Sequence, residues 1–348
     1  MADKPDGKLD AARSGTPSEF QRRLASGEFA VTAEIGPPRG ADTAPVARTA
    51  ALLRGWVDAV NITDNQGAAV RLSSLAGSLA ALGAGVEPIM QLTCRDRNRI
   101  ALQSELLSAS ALGVPNVLIM SGDHPRHGDH ADAKPVFDLD STALLRVATT
   151  MRDQGRLMSG GELKPPPAWF LGAVENPSGP PKVGPGSAGL SSAGLDSAGQ
   201  EAAEAADKAV YRLAGKIEAG AQFVQTQFVF DVGAFAAWLA RVRDLGLDER
   251  CYILAGVGPV RSHRALAHLA TLPGVVIPEA IADRLAAASA DRIRAESEKL
   301  CSEIIAHLAE LPGVAGVHVM AIGAEKAIPA ILEQAGLAAR RPDLAPPG

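Results

Sequence analysis

Phe29–Thr63 has the sequence FAVTAEIGPPRGADTAPVARTAALLRGWVDAVNIT, and this stretch decides the fold. It joins two short apolar runs, Phe29–Ile35 and Val57–Thr63, through the helix-periodic segment Thr43–Gly55. The runs are apolar almost throughout instead of alternating, which is typical of parallel strands that are covered on both faces. The helical segment ends in glycine, a residue that tolerates the left-handed conformation at helix ends. The stretch therefore predicts a strand–helix–strand unit.

The same unit recurs along the whole chain. Six further apolar runs follow, at Val86–Thr93, Asn116–Asp123, Ala168–Asn176, Ala221–Phe230, Cys251–Val257 and Val314–Ile322. Helix-periodic segments accompany them, at Arg71–Gly83, Arg95–Gly113, Asp140–Gly155, Gly199–Gly220, Asp231–Gly246, Ser262–Gly274 and Glu325–Gly336, with an additional helical stretch at Pro278–Leu311 before the last strand. Eight alternating units predict a single-domain α/β fold, the (β/α)8 TIM barrel. A doubly wound open sheet is the alternative, although no GxGxxG follows any strand.

Composition sets the domain limits. We predict a disordered N-terminal tail over 1–17, a barrel over 18–340 and a C-terminal tail over 341–348. The segment 178–199 is almost entirely Gly, Ser, Pro and Ala, which predicts a mobile loop after the fifth strand. At that position it is either a lid over the catalytic rim or a tolerated insertion, and we favour the insertion.

Charge and apolar content exclude several classes of function. The chain of 348 residues has a net charge of −5 without long like-charge runs, so nothing favours nucleic acid or an anionic membrane as a partner. No apolar run reaches the roughly 20 residues of a membrane helix. The polar N-terminus does not resemble a signal peptide. The three cysteines are widely spaced, which suits a reducing compartment, and we expect a cytoplasmic protein.

Two carboxylates stand where such barrels carry their catalytic residues, at the carboxyl ends of strands. Glu34 ends the first apolar run, and desolvation there would favour its neutral form and suit it as a general acid. The alternative is a helix N-cap or a rim salt bridge, for instance to Arg39. Asp123 follows Gly122, which allows a ligand to approach the backbone closely. Its alternative role is to form the turn in Gly-Asp-His-Pro.

Two further polar groups stand near strand ends. The loop His124–His130 contains residue types that suit zinc, but its spacing matches no ligand signature, and we predict no metal site. Arg95, Arg97 and Arg99 open the third helix, where cations oppose the helix dipole. An anionic cofactor phosphate would balance them, or Asp96 would do so locally.

Several short motifs, in order and at the predicted strand ends, resemble the methylenetetrahydrofolate reductase family. The resemblance extends from about Phe29 to Leu337 and rests on these motifs: Ala33-Glu34-Ile-Gly-Pro37-Pro38, Gln91-Leu-Thr-Cys-Arg-Asp96, Gly122-Asp123, Lys216-Ile-Glu-Ala-Gly-Ala221 and Thr226-Gln227-Phe-Val-Phe-Asp231. LTCRDRNRIALQS, KPVFDLDS and GVHVMAI resemble the subgroup of acetogen-type and homocysteine-methyltransferase-fused reductases. Such enzymes reduce 5,10-methylenetetrahydrofolate to 5-methyltetrahydrofolate, or catalyse the reverse oxidation, with a flavin.

The resemblance also implies roles for residues. Glu34 would be the general acid, and Asp123 would lie near flavin and pterin as the second catalytic residue. The implied cofactor-binding residues are Thr63, Gln91, Thr93, Arg95, Ser121, Gly122, Asp123, His124 and Lys216. The implied substrate-binding residues are Gln227, Phe228, Asp123 and Leu269. The implied cofactor is FAD, with FMN as the alternative and NADH or NADPH as the electron donor.

The chain departs from the family pattern at the rim. Better-known members have His where this chain has Gln91, and Arg where it has Ser121; other departures are Ala209, Arg212, Ala265, Leu269 and Ala324. These differences keep alternatives open: a folate-binding methyltransferase, or a flavin-poor subunit of a one-carbon enzyme complex. Tetrahydrofolate is the expected substrate in each case. A homo-oligomer and an electron-transfer partner subunit both remain open.

Overall fold

The eight predicted strands form a closed parallel barrel. The computed structural model describes residues 17–178, 196–272, 274–340 and 343–344, with side chains left out over 196–206. The strands are β1 Ala30–Ile35, β2 Ala59–Ile62, β3 Pro88–Thr93, β4 Asn116–Met120, β5 Phe170–Glu175, β6 Phe223–Phe228, β7 Tyr252–Val257 and β8 Val314–Val319. They pair in chain order, and β8 closes onto β1 with Thr32 opposite His318. The TIM-barrel prediction is confirmed, and the open sheet is excluded.

Helices connect the strands much as the periodicity predicts. They are α1 Glu19–Ala25, α2 Ala44–Leu53, α3 Ser74–Gly83, α4 Arg99–Ala111, α5 Ser141–Gln154, α6 Asp196–Glu218, α7 Val232–Asp244, α8 His263–Leu269, α9 Glu279–Ala287, α10 Ile293–Ala309 and α11 Ile328–Gln334. Side-chain caps begin several of them; the Asp140 carboxylate, for example, accepts from the Ala143 N–H at the start of α5. Gly155 ends that helix with φ +61°, as its predicted role requires. The additional stretch before β8 consists of two helices, α9 and α10.

Strand side chains alternate between two cores. Val31 and Ala33 of β1 belong to the large core between strands and helices. Ala30, Thr32 and Glu34 lie on the other face of the same strand, inside the barrel, in keeping with the period of two along a strand. The inner layer at the amino ends of the strands is apolar and contains Ala30, Ala59, Ile89, Leu118, Phe170, Phe223 and Leu254. The layer above it is polar, and the carboxyl ends of the strands lie above that.

A short N-terminal helix that the sequence analysis did not predict closes the amino end of the barrel. Ser18 caps α1 and also donates its hydroxyl hydrogen to Asn116 Oδ1 of β4 at 2.8 Å. Phe20 is fully buried and meets the rings of Phe170 and Phe223 edge-on at 5.8 and 5.3 Å. These contacts fix α1 beneath the inner apolar layer.

Parts of the predicted domain division lie outside the described residues. They are the tail over 1–17 apart from its last residue, most of the loop over 178–199, and the C-terminal tail over 341–348 apart from 343–344. Within the ranges described above, no helix is long and apolar enough to cross a membrane.

Candidate active site

The polar layer inside the barrel is a continuous chain of hydrogen bonds. Asn61 Nδ2 donates to Gln225 Oε1 at 2.6 Å, and Gln225 Nε2 donates back to Asn61 Oδ1 at 3.0 Å. The same Gln225 nitrogen donates to Thr32 Oγ1 at 3.1 Å. Thr32 Oγ1 lies 3.0 Å from His318 Nδ1. These four side chains are buried and polar, so their mutual bonds offset their loss of water.

Glu34 lies at the end of this chain that is nearer the mouth of the barrel. Its side chain is 11% exposed, and two side chains approach a single oxygen, Oε2. Gln91 Nε2 donates to that oxygen from 3.3 Å, and His318 Nε2 lies 3.5 Å from it. Among the described residues, neither Arg39 nor any other arginine or lysine pairs with Glu34; Arg39 pairs with Asp129 instead. A nearly buried carboxyl without an arginine or lysine partner among the described residues is suited to hold and deliver a proton.

Asp64 organises the rim between β2 and β4. Its carboxylate is fully buried and accepts from the backbone N–H and the hydroxyl of Thr93 at 3.0 and 2.8 Å. Arg97 binds both Asp64 oxygens, at 2.8 and 3.1 Å. The two-pronged contact is the geometry that guanidinium and carboxylate groups prefer. Asp64 therefore holds the end of β3 in place and neutralises one arginine of the basic cluster.

Replacing Asp64 with asparagine should lower the free energy of unfolding by about 2–3 kcal/mol, because Arg97 loses the counter-charge of a mostly buried pair. The estimate is below that for a fully buried pair, since the Arg97 side chain is 16% exposed. Urea unfolding measures the effect. Asp138→Asn, which removes the partner of the exposed Arg99, is the control and should cost much less. Equal losses in both variants would contradict the structural role of Asp64.

The other two arginines of the cluster are also paired. Arg95 binds both oxygens of Asp96, at 2.7 and 2.8 Å, and this hydrogen bonding raises the pKa of Arg95. Arg99 binds both oxygens of Asp138 and holds the pKa of that carboxyl at about 2. Asp96 thus balances the charge of Arg95 locally, which is the alternative to a cofactor phosphate that the sequence analysis considered.

The loop after β4 forms one side of the mouth. Gly122 has φ +83°, and a Cβ there would lie 3.0 Å from Thr93 Cβ, so the loop backbone passes close over β3. Asp123 is exposed, and its carbonyl accepts from Arg95 Nη1 at 3.3 Å. Ser121 and His124 are exposed as well. The loop therefore presents polar side chains at the rim.

On the opposite side, Lys216 is held by Glu175 at the end of β5. Lys216 Nζ donates to Glu175 Oε2 at 2.7 Å and to the Val174 carbonyl at 2.6 Å. Arg212 donates to the other Glu175 oxygen at 2.8 Å. The Glu175 side chain is almost fully buried, so it needs these cations. The Lys216 ammonium is consequently bound within the protein.

The expected substrate-binding residues separate into two groups. Gln227 and Phe228 end β6 and are half-buried, and the Phe228 ring stacks on Phe230 at 5.8 Å between centroids. Leu269 ends α8 and packs against the outer hydrophobic core. The structure brings Gln227 and Phe228 to the barrel end that carries Glu34, whereas Leu269 belongs to the surrounding helices.

One buried polar atom near this end has no partner among the described residues. Thr63 directly follows β2, its side chain is buried, and its Oγ1 makes no hydrogen bond there. Such atoms usually have a ligand or water as partner. Within the same described ranges, no group of three or more His, Cys, Asp or Glu side chains is arranged to hold a metal ion.

Sequence reasoning missed the layer beneath Glu34. Thr32, Gln225 and His318 were not singled out, although all three are buried in the barrel. Strand parity was the available signal: two residues before an inward Glu34, Thr32 must also point inward. His318 was accessible only through the closing register of β8 on β1.

Comparisons with known proteins agree on one family. The chain matches the sequence profile of methylenetetrahydrofolate reductase over residues 19–158 and 188–336. It is 24% identical over 254 residues to methylenetetrahydrofolate reductase 1 of Schizosaccharomyces pombe (strain 972 / ATCC 24843), covering 72% of this chain and 36% of that protein. It is 23% identical over 347 residues to a probable methylenetetrahydrofolate reductase (NADPH) of Caenorhabditis elegans, covering 94% and 46%. The chain thus spans less than half the length of these relatives.

A solved structure shares the fold. An uncharacterized protein from Clostridium thermocellum, described as binding two copies of 5-methyl-5,6,7,8-tetrahydrofolic acid, superposes with a TM-score of 0.60. The superposition covers 89% of this chain and 97% of that one at 15% identity. At this identity the likeness shows the barrel fold alone.

Proposed function

The chain belongs to the methylenetetrahydrofolate reductase family, and from that membership we propose that it interconverts 5,10-methylenetetrahydrofolate and 5-methyltetrahydrofolate by hydride transfer. The observation that carries this proposal is Glu34, a nearly buried carboxyl inside the mouth of the barrel that, among the described residues, pairs with no arginine or lysine and is approached by Gln91 and His318. A protonated carboxyl there can serve a substrate whose bond must be opened by acid.

In the reductive direction, Glu34 protonates the folate nitrogen that leaves the methylene carbon. The carbon–nitrogen bond breaks with its electron pair going to that nitrogen, and an electrophilic iminium carbon forms on the other nitrogen. Hydride addition to this carbon gives the methyl group. Gln91 donates to Oε2, so Oε1 is the oxygen that we assign to the transferred proton. After one turnover, Glu34 is a carboxylate and must regain a proton from solvent.

Asp123 and Gln227 are our candidates for positioning the pterin. They lie at the ends of β4 and β6, on the barrel end that carries Glu34. An exposed carboxylate such as Asp123 can stabilise the cationic iminium by charge, and an amide such as Gln227 can hydrogen-bond a pterin edge in both directions. Phe228 adds apolar surface beside that amide.

The residues fit the ring end of a flavin better than its phosphate end. The unpartnered Thr63 Oγ1 and the close-lying backbone at Gly122 suit a flat polar ring over β2–β4. Arg95, considered above for a cofactor phosphate, is already paired with Asp96, and Lys216, an implied cofactor-binding residue, is paired with Glu175. A bound flavin would supply the hydride, since no side chain can carry one. FAD is the flavin that we propose, and FMN is the alternative. NADH or NADPH is the proposed source of its electrons.

The purified protein should therefore show flavin absorption that bleaches with NADH or NADPH and returns when 5,10-methylenetetrahydrofolate is added. Released chromophore identifies FAD or FMN. Turnover should be assayed with and without each added flavin. A colourless protein that gains no turnover from either flavin would contradict the flavin proposal. If such a protein also lacks turnover with both nucleotides yet binds 5-methyltetrahydrofolate, the folate-binding methyltransferase becomes the better function.

A further inference from the structure

The buried polar chain beneath Glu34 has no part in the proton transfer described above, yet it ends on the proposed acid. We infer that His318 is a positioning residue for Glu34, held by Thr32 in the tautomer whose Nε2 hydrogen is directed at Glu34 Oε2. This inference rests on the proposed function for its kinetic consequence, but its structural content does not depend on it.

The amide pair fixes the first hydrogens. Gln225 Nε2 has two hydrogens, and its two acceptors are Asn61 Oδ1 at 3.0 Å and Thr32 Oγ1 at 3.1 Å. The remaining amide oxygen of Gln225 accepts from Asn61 Nδ2 at 2.6 Å. Both hydrogens of Gln225 are therefore in use, and the Thr32 hydroxyl oxygen is an acceptor in this arrangement.

The Thr32 hydroxyl then has one hydrogen to donate and two acceptors within reach. His318 Nδ1 lies 3.0 Å from Thr32 Oγ1, and the Val317 carbonyl lies 3.4 Å away. The shorter contact favours the imidazole. A neutral imidazole that accepts at Nδ1 carries its hydrogen on Nε2.

In this tautomer the imidazole hydrogen is on Nε2, the ring nitrogen that approaches Glu34. Nε2 lies 3.5 Å from Oε2, the oxygen that Gln91 also approaches. With both nitrogens on the side of Oε2, we assign the transferred proton to Oε1, the other oxygen of the carboxyl. Glu34 is the only other titratable group in this chain of contacts, because Thr32, Gln225, Asn61 and Gln91 are all neutral. The contacts of His318 and Gln91 are thus both assigned to Oε2, and the inferred role of His318 is to hold the carboxyl in the orientation that leaves Oε1 for proton transfer.

Imidazole nitrogen resonances test the tautomer in the protein without substrate. Nitrogen-15 spectra of histidine-labelled protein distinguish protonated from unprotonated ring nitrogens, and loss of a signal in His318→Gln assigns it among the seven histidines. We expect the Nε2-protonated form in the wild type, a shift toward the other tautomer in Thr32→Val, and recovery in Thr32→Ser. The inference would be overturned if the wild-type His318 ring were protonated on Nδ1, or if Thr32→Val left the tautomer unchanged. Either result would count whether or not the protein is a reductase.

Kinetics test the consequence once wild-type turnover is established. Thr32→Val should lower kcat roughly three- to tenfold, the effect of one hydrogen bond, with little change in KM because Thr32 does not reach the substrate. Thr32→Ser should restore kcat. Thr149→Val is the matched control: it removes a threonine hydroxyl that bonds the Ala219 carbonyl outside the barrel, and it should leave kcat unchanged.

Two substitutions at His318 separate its two contacts. Glutamine can place an amide donor near the Nε2 position, whereas asparagine can reach only toward Thr32. We expect His318→Gln to retain more kcat than His318→Asn, and Thr32→Val to have no further effect in the His318→Gln background. The inference would be overturned if the kcat losses of Thr32→Val and His318→Gln added up in the double variant. It would also be overturned if His318→Gln and His318→Asn lost the same kcat at equal thermal stability, since His318 would then have only a structural role. Absence of turnover in the wild type would instead refute the proposed function.

Discussion

Glu34→Gln should lower kcat for 5,10-methylenetetrahydrofolate reduction by roughly 10²–10⁴-fold while the fold is retained, since general acid catalysis contributes about that much. Glutamine has nearly the shape of glutamic acid and can still accept from Gln91 and His318, which lie 3.3 and 3.5 Å from Oε2. Its amide cannot release a proton to the departing folate nitrogen. Binding of the folate should change much less than turnover, because the loss concerns the transition state.

The matched control is Glu87→Gln. Glu87 immediately precedes β3 at the amino end of the barrel, and burial raises the pKa of its carboxyl. It bonds Asn116 Nδ2 at 2.8 Å, far along the strands from the mouth. Both variants replace a shielded carboxyl by an amide, and only Glu34→Gln should lose turnover. A Glu34→Gln protein with near-wild-type kcat would contradict the acid role.

The barrel could be predicted from the sequence because each of its units carries a local signal. Strands buried on both faces are apolar throughout, and residues such as Asp140 and Gly155 mark helix ends independently of the rest of the chain. Helix α1 has only seven residues, and its buried side chains Phe20 and Leu24 pack into the inner layer formed by strands distant in the sequence. No local pattern predicts that contact.

The difference between local signals and long-range contacts also explains which features of the site could be predicted from the sequence. Glu34 and Gln91 could be found because strand ends in a barrel converge on one face. The pairing of Arg97 with Asp64, 33 residues away, and the contact of Thr32 with His318, 286 residues away, depend on registers that only the closed barrel defines. Sequence therefore identified charged groups at the rim but not which of them neutralise one another.

The polar layer and the apolar layer inside the barrel have different roles. The layer of Thr32, Asn61, Gln225 and His318 is polar, and each of its side chains is hydrogen-bonded within the layer, so it can orient a group above it. The layer beneath is aromatic and aliphatic, and it contributes stability by excluding water. Substitutions in the lower layer should accordingly change stability without changing the chemistry.

Phe20→Ala should lower the free energy of unfolding by about 3–5 kcal/mol, the usual cost of truncating a fully buried phenylalanine. Its ring lies edge-on to Phe170 and Phe223, which themselves stack with centroids 5.0 Å apart. β5 allows this stack by carrying Gly172, where a Cβ would lie 2.2 Å from the Phe223 ring. The barrel wall is therefore shaped around these rings, and the space left by Phe20 cannot be closed by a small shift.

Thermal unfolding and turnover together test the division between layers. Phe20→Ala should lower the melting temperature by roughly 5–15 °C, while kcat at a temperature where the protein stays folded remains close to wild type. Tyr211→Ala removes another aromatic ring, one that is 72% exposed on α6, and should change stability by less than about 0.5 kcal/mol. If Phe20→Ala and Tyr211→Ala were equally stable, α1 would not close the barrel. If Phe20→Ala instead lost turnover while folded, the lower layer would support the geometry at Glu34 as well as stability.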